Sequence, residues 1–253
     1  MINLNWFPVW QRNFLVWKKL AMPSLLGNLA DPMFYMLGLG YGLGGLLHQV
    51  NGVPYLHFLA AGTLCYSVMN SATFETLYSA FSRMHVQKTW EAILNTPLTL
   101  RDVLVGEWLW AASKSLLSGL AIILVIWALG LYTNFAMTLA LIPVIVLTGL
   151  CFSGLGLAVN SVSPNYDFFL YYFTLCITPQ VLLGGVFYPP TALPAWLAVA
   201  ADWLPLTHAV NLARPLLLGR WPEAVALHTL VLLAYGFAGF LFGLRQTGRR
   251  LLR

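Results

Sequence analysis

Ser115–Tyr166 reads SLLSGLAIILVIWALGLYTNFAMTLALIPVIVLTGLCFSGLGLAVNSVSPNY, 52 residues without one Asp, Glu, Lys or Arg. A helix crosses the hydrocarbon core of a bilayer with about 20 apolar residues, so this stretch has room for two crossings. Three more charge-free runs flank it, at 32–74, 168–201 and 224–244. Over the 253 residues 59% are hydrophobic and only 8% are charged, against about 25% charged in a soluble domain. A water-soluble globule is excluded. So is a secreted disulfide scaffold: the three cysteines, Cys65, Cys151 and Cys176, each sit in an apolar run and form no Cys-x-x-Cys or Cys/His metal spacing. No short apolar core with a cleavage site follows Met1, so no cleavable signal peptide is expected.

Working outward, the pattern predicts an all-α polytopic membrane protein with six transmembrane helices at about 25–46, 55–80, 100–130, 136–160, 166–188 and 222–244, in a single domain over 1–253. Asn51-Gly52-Val53-Pro54 is a turn between the first two. Thr99 with Asp102 is a capping-box pattern opening the third, and Ser163-Pro164-Asn165 turns the chain before the fifth, which ends at Pro189-Pro190. Residues 1–21 predict an amphipathic interfacial helix. Trp6, Trp10, Phe14, Trp17 and Ala21 share one face, with Arg12 and Lys19 opposite.

Lys and Arg set the orientation. With both termini in the cytoplasm, the inner segments hold Arg12, Lys18, Lys19, Arg83, Lys88, Arg101, Arg245, Arg249, Arg250 and Arg253, and the outer ones only Arg214 and Arg220. Ten against two is a strong positive-inside bias, and it accounts for the net charge of +5 without nucleic acid. Two connections are more than loops. The inner segment 82–99 contains a short helix, Thr89-Trp90-Glu91-Ala92-Ile93-Leu94-Asn95, stopped by Pro97. The outer segment 189–221 carries a helix near 194–205, with Trp196, Leu197, Ala200, Trp203 and Leu204 on one face, Trp196 and Trp203 being expected to dip into the outer leaflet, and a second helix near 207–218. Helices this short cannot cross, so a re-entrant hairpin is expected.

The chemistry is sparse. None of the four lysines follows a glycine, so there is no Walker A loop, and no Gly-x-Ser-x-Gly or His-Glu-x-x-His motif occurs. The histidines, His48, His57, His85, His208 and His228, lack ligand spacing. Asp31, Glu75, Glu107 and Lys114 fall within spans. A charge there is costly, so mutual pairing or a place on a substrate path is expected of them. Gly38/Gly42, Gly40/Gly44 and Gly239/Gly243 are Gly-x-x-x-Gly pairs suited to close helix contacts, within the bundle or across a dimer. The aromatic run Tyr166–Phe173 reads as an interfacial belt.

In its order of parts the chain resembles the permease of a type-2 ABC exporter. The stretches Leu183-Gly184-Gly185-Val186-Phe187-Tyr188-Pro189-Pro190, Leu204-Pro205-Leu206-Thr207-His208-Ala209 and Thr89-Trp90-Glu91-Ala92-Ile93-Leu94-Asn95-Thr96-Pro97-Leu98 carry the likeness. Asp31-Pro32-Met33-Phe34-Tyr35 and Pro164-Asn165-Tyr166-Asp167 are similar to the nodulation protein J (NodJ) branch of that family, which exports lipooligosaccharides. The resemblance implies a bacterial inner-membrane location and no catalytic, metal or cofactor residue in this chain. It implies a separate, NodI-like ABC ATPase subunit that binds ATP and magnesium, and a second permease copy. It makes Thr89, Trp90, Glu91, Ile93, Leu94 and Pro97 the ATPase-coupling element, and Trp196 and Trp203 part of an exit hairpin. Thr89 is expected to cap the coupling helix, and Trp90, Ile93 and Leu94 to serve as apolar anchors on the partner. Two other classes stand beside this one. A secondary transporter or channel needs functional charges at mid-membrane. A lipid-modifying membrane enzyme needs a convergent set, for which Asp202, His208 and Arg214 are the outer candidates.

Overall fold

In the computed structural model, which describes residues 4–47 and 49–251, helices carry nearly all of the chain. His48 and Arg253, named above, lie outside the described residues. Helix α1 (Phe7–Lys18) is followed by α2 (21–42), and a short helical turn, Gly44–Leu47, leads to two-residue strands β1 (Gln49–Val50) and β2 (Val53–Pro54). Val50 pairs with Val53, and Asn51 and Gly52 both have positive φ, 52° and 76°. That is the backbone of a tight two-residue hairpin turn, which Asn-Gly supplies at least cost. The next long helix is α3 (55–86), followed by the short α4 (Thr89–Leu94). The remainder is α5 (Leu100–Ala128), α6 (Phe135–Val162), α7 (Phe168–Leu183), α8 (Ala195–Ala201), α9 (Pro205–Leu217) and α10 (Val225–Leu251).

Among the described residues three helices are long and apolar enough to cross a membrane by length and composition: α5, α6 and α10. The other three expected crossings fall on α2, α3 and α7, and each contains π-helical turns: Tyr35–Leu39 in α2, Glu75–Ser79 and Ser82–Val86 in α3, and Phe173–Ile177 in α7. Helix α3 is the axis of the bundle. Most of its residues are buried, among them Thr63, Ser67, Ser71, Thr73 and Thr76. Hydroxyls are tolerated there because the neighbours shield them and the helix's own carbonyls accept their protons: Thr63 bonds Leu59 O and Thr76 bonds Ala72 O.

The tightest crossing is that of α6 and α10. A Cβ on Gly154 would stand 2.1 Å from the Gly236 carbonyl oxygen, and one on Gly239 would stand 2.7 Å from the Gly154 carbonyl carbon. Backbones can approach this closely only where both helices lack side chains. Gly239/Gly243 therefore packs inside the chain. Gly38 and Gly42 meet nothing within 4 Å, while their neighbour Gly40 faces Leu56 of α3.

Several boundaries move. Helix α2 starts at Ala21 instead of 25, which puts Asp31 ten residues into it. Helix α7 stops at Leu183 instead of 188, because Gly185 takes φ 76°. Helix α10 continues past Arg245 to Leu251. Thr99 and Asp102 form the expected capping box at the start of α5. The two short helices expected within 189–221 are also present, as α8 and α9.

Candidate functional site

Glu75, Arg83, Glu107 and Lys114 come together where the end of α3, the helix α4 and the start of α5 meet. Arg83 donates from Nε to Glu107 Oε1 (2.9 Å) and from Nη2 to Glu75 Oε1 (2.9 Å) and Glu107 Oε2. Lys114 Nζ donates to Glu75 Oε2 at 2.7 Å. Two indoles complete the set: Trp90 Nε1 reaches Glu107 Oε1 at 3.0 Å, and Trp110 Nε1 reaches Glu75 Oε1 at 2.8 Å. Two carboxylates and two cations balance, and every bond has a charged partner, the condition under which buried charge is tolerable. Burial alone would lower the pKa of Arg83; Glu107 and then Glu75 overturn that and raise it.

Helical geometry explains how Arg83 reaches Glu75. At 3.6 residues per turn, eight residues overshoot two full turns by about 80°. The π turns Glu75–Ser79 and Ser82–Val86 are wider and take up that excess, so both side chains face α5.

Helix α1 closes the cluster from the side. Val9 packs where a Cβ on Gly106 would clash, and Trp10 Nε1 donates to Ser113 Oγ at 3.0 Å. Trp10, Phe14 and Trp17 stand edge-on to Trp110. The aromatic face of α1 is thus seated on α5. Arg12 does not point away from the bundle: it bonds Asn13 Oδ1 and reaches Thr89 Oγ1 at 3.4 Å. Burial, then the charge of Arg83, lowers the pKa of Arg12, with Glu107 opposing. A cavity of about 210 Å³ remains between α1, α2 and the ion cluster, lined by Asn13, Ser24, Glu75 and Lys114 among others.

The expected coupling helix forms as α4, with corrections. Thr89 does not cap it. The preceding residue, Lys88, takes a left-handed backbone (φ 54°), and no side chain caps the helix. Trp90 is no outward anchor: it is 1% exposed and bonded to Glu107. Burying the indole is favoured because its N–H finds a carboxylate. Ile93 and Leu94 are half-buried against the core below. The outward face is made by Glu91, Ala92 and Asn95, with Pro97 exposed beyond. Glu91 pairs with Lys88 at 2.6 Å.

Asp31 stands apart and accepts a bond from Tyr66 Oη of α3 at 2.6 Å. Trp196 and Trp203, expected to dip into the outer leaflet, are each 72% exposed and project away from the chain. Ala201 and helix α9 are what that hairpin buries. Of the outer enzyme candidates, Asp202 offers its carbonyl oxygen to His208 Nε2 (2.9 Å), and His208 Nδ1 lies 2.7 Å from His228 Nδ1. Arg214 lies elsewhere, over the Phe58 ring at 3.6 Å, so the three form no convergent set. Tyr166 and Phe169 join Tyr78 and Phe81 of α3 in one aromatic cluster, while Leu170 and Tyr171 stay exposed.

Arg83 was not among the site residues expected from sequence. One signal pointed to it: Glu75, Glu107 and Lys114 leave one negative charge over, and a second cation must be close.

Residues 5–218 match the family model described as ABC-2 type transporter. The chain is 48% identical to Nodulation protein J of Rhizobium leguminosarum bv. viciae over 99% of this chain and 96% of the relative. It is 49% identical to Nodulation protein J of Bradyrhizobium diazoefficiens over 98% and 95%. It is 23% identical to the inner membrane transport permease YadH of Escherichia coli over 99% of both. With this match and the apolar helices described above, the chain belongs to the ABC-2 type transporter family, as a multi-pass permease subunit and not a catalyst.

Proposed function

We propose that the chain is the permease of an ATP-driven exporter that moves an amphipathic, lipid-linked saccharide of the lipooligosaccharide kind out of the cytoplasm. It crosses the bacterial inner membrane six times with both termini inside, pairs with a second copy, and takes its work from a separate, NodI-like ATPase. The observation that carries this reading is the attachment of α4. A helix of six residues presents Glu91, Ala92 and Asn95 outward, while Trp90 on its inner side is bonded to Glu107, and through Arg83 to Glu75 and Lys114. A push on α4 therefore reaches α3 and α5 together. The membrane family supports the ATPase partner, since a chain without a Walker A loop needs an outside source of work. The near full-length likeness to Nodulation protein J proteins supports the cargo class.

The test is co-purification of the permease with its ATPase, followed by ATP hydrolysis and export of a labelled lipo-chitooligosaccharide in vesicles. Glu91→Arg should weaken association. Trp90→Phe should leave association intact but lose export per ATP hydrolysed, because the ring stays and the bond to Glu107 goes. Normal association and normal export in both variants would sink the coupling assignment. Export of free saccharide as well as the lipid-linked form would sink the cargo assignment.

A further inference from the structure

At the end of the bundle opposite the ion cluster, two cavities meet at Trp221. The larger, about 730 Å³, lies between the start of α6, α9 and the start of α10, and is walled by Ile142, Val146, Leu147, Leu150, Leu216 and Trp221. Thr229 is the one hydroxyl among its described lining residues. The smaller, about 480 Å³, shares Trp221 and is polar: Asn211, Arg214, Arg220, Glu223 and His228 face it. Both volumes are in the range of ordinary small-molecule sites, about 300–1,000 Å³.

The charges of the polar cavity are unbalanced, two arginines against one carboxylate. Among the described residues neither Arg214 nor Arg220 has a carboxylate within ion-pairing distance. Arg214 is oriented all the same. It lies over Phe58, donates from Nε to Phe58 O (3.4 Å) and from Nη2 to Gly185 O. Carbonyls and a ring face fix the guanidinium without neutralising it. An apolar chamber beside a cationic one, with an indole lining both, is the complement of an acyl chain joined to an anionic head.

We infer that these adjoining cavities bind an anionic membrane phospholipid, with an acyl chain along α6 and α10 and the phosphate against Arg214 and Arg220. A zwitterionic lipid fills the apolar chamber equally but brings no net charge to the two arginines, so charge selects the occupant. The site needs neither the ATPase nor the cargo, and it stands or falls apart from the proposed export role.

The full chain, purified in detergent, is incubated with phosphatidylglycerol carrying a photo-crosslinker in its acyl chain and, separately, with phosphatidylcholine of the same chains. Attached peptides are then mapped by mass spectrometry. Phosphatidylglycerol should label 140–150 and 216–229 about fivefold or more above phosphatidylcholine, the worth of roughly one uncompensated basic side chain near a membrane surface. Arg220 is exposed, so Arg220→Glu should keep the fold and bring the two lipids level in these segments. Val146→Trp should fill the larger chamber and remove both labels there. Equal labelling by the two lipids in the unaltered chain, no labelling of these segments, or undiminished selectivity in Arg220→Glu would each overturn the inference. If Val146→Trp fails to fold, the Arg220→Glu result decides.

Discussion

Arg83 and Arg214 sit at opposite ends of the same bundle and solve the same problem differently. Arg83 is enclosed by two carboxylates, which a lysine and two indoles complete. Among the described residues Arg214 has two carbonyls and the face of Phe58. The first arrangement cancels charge and locks three elements into one unit. The second holds a cation still and leaves its charge uncancelled. A bundle this poor in charge uses its ions in two ways, as a joint at one end and as an uncancelled charge at the other.

The largest expected effect separates these two roles. Arg83→Ala leaves Glu75 and Glu107 buried without their cation, which costs about 3–5 kcal/mol. Folded yield and thermal unfolding in detergent should fall sharply, and adding Glu75→Gln with Glu107→Gln should recover much of the loss. Arg214→Met is expected to cost less, about 2 kcal/mol, because it unpairs two carbonyls but strands no opposite charge. If the two variants prove equally unstable, or if Arg214→Met is the worse, the contrast fails. The smallest effect belongs to the exposed pair on α4. Lys88→Ala should change stability by no more than about 0.5 kcal/mol in the same measurement, since both partners are half in solvent. A larger loss there would mean that α4 is held by its surface and not by Trp90.

Much of the fold was legible because it rests on local rules. The Asn51-Gly52 hairpin, the Thr99/Asp102 box and the short helix before Pro97 are each decided by a few neighbouring residues, and each is present. What failed depends on partners distant in sequence. The resemblance makes Trp90 an outward anchor, yet Trp90 turns in because Glu107, 17 residues on, accepts its hydrogen bond. Trp196 and Trp203 turn out because α9 takes the inner place on the hairpin. Arg83 escaped for a different reason. A 3.6-residue period puts it about 80° away from Glu75, and only the wide turns of α3 bring it back.

The amphipathic N-terminal stripe shows the same limit in milder form. Its spacing is as expected, and Trp10, Phe14 and Trp17 do share a face. Spacing alone does not say what covers a face. Here Trp110 of α5 does, and Arg12 on the flank reaches Thr89.

The glycine crossing of α6 and α10 has a mechanical consequence. With Gly154 against Gly236 and Gly239, no side chains lie between the two backbones to yield under load, so the pair behaves as a stiff beam. Helices α2, α3 and α7 carry the π turns, where the regular ladder of hydrogen bonds is already broken, and they are the compliant members. A load applied at α4 would reach α5 through the Trp90–Glu107 bond and α3 through Arg83, where it meets the two wide turns that hold Glu75 and Arg83. Bending is then concentrated on one side of the molecule while the beam supplies the fixed side against which it works.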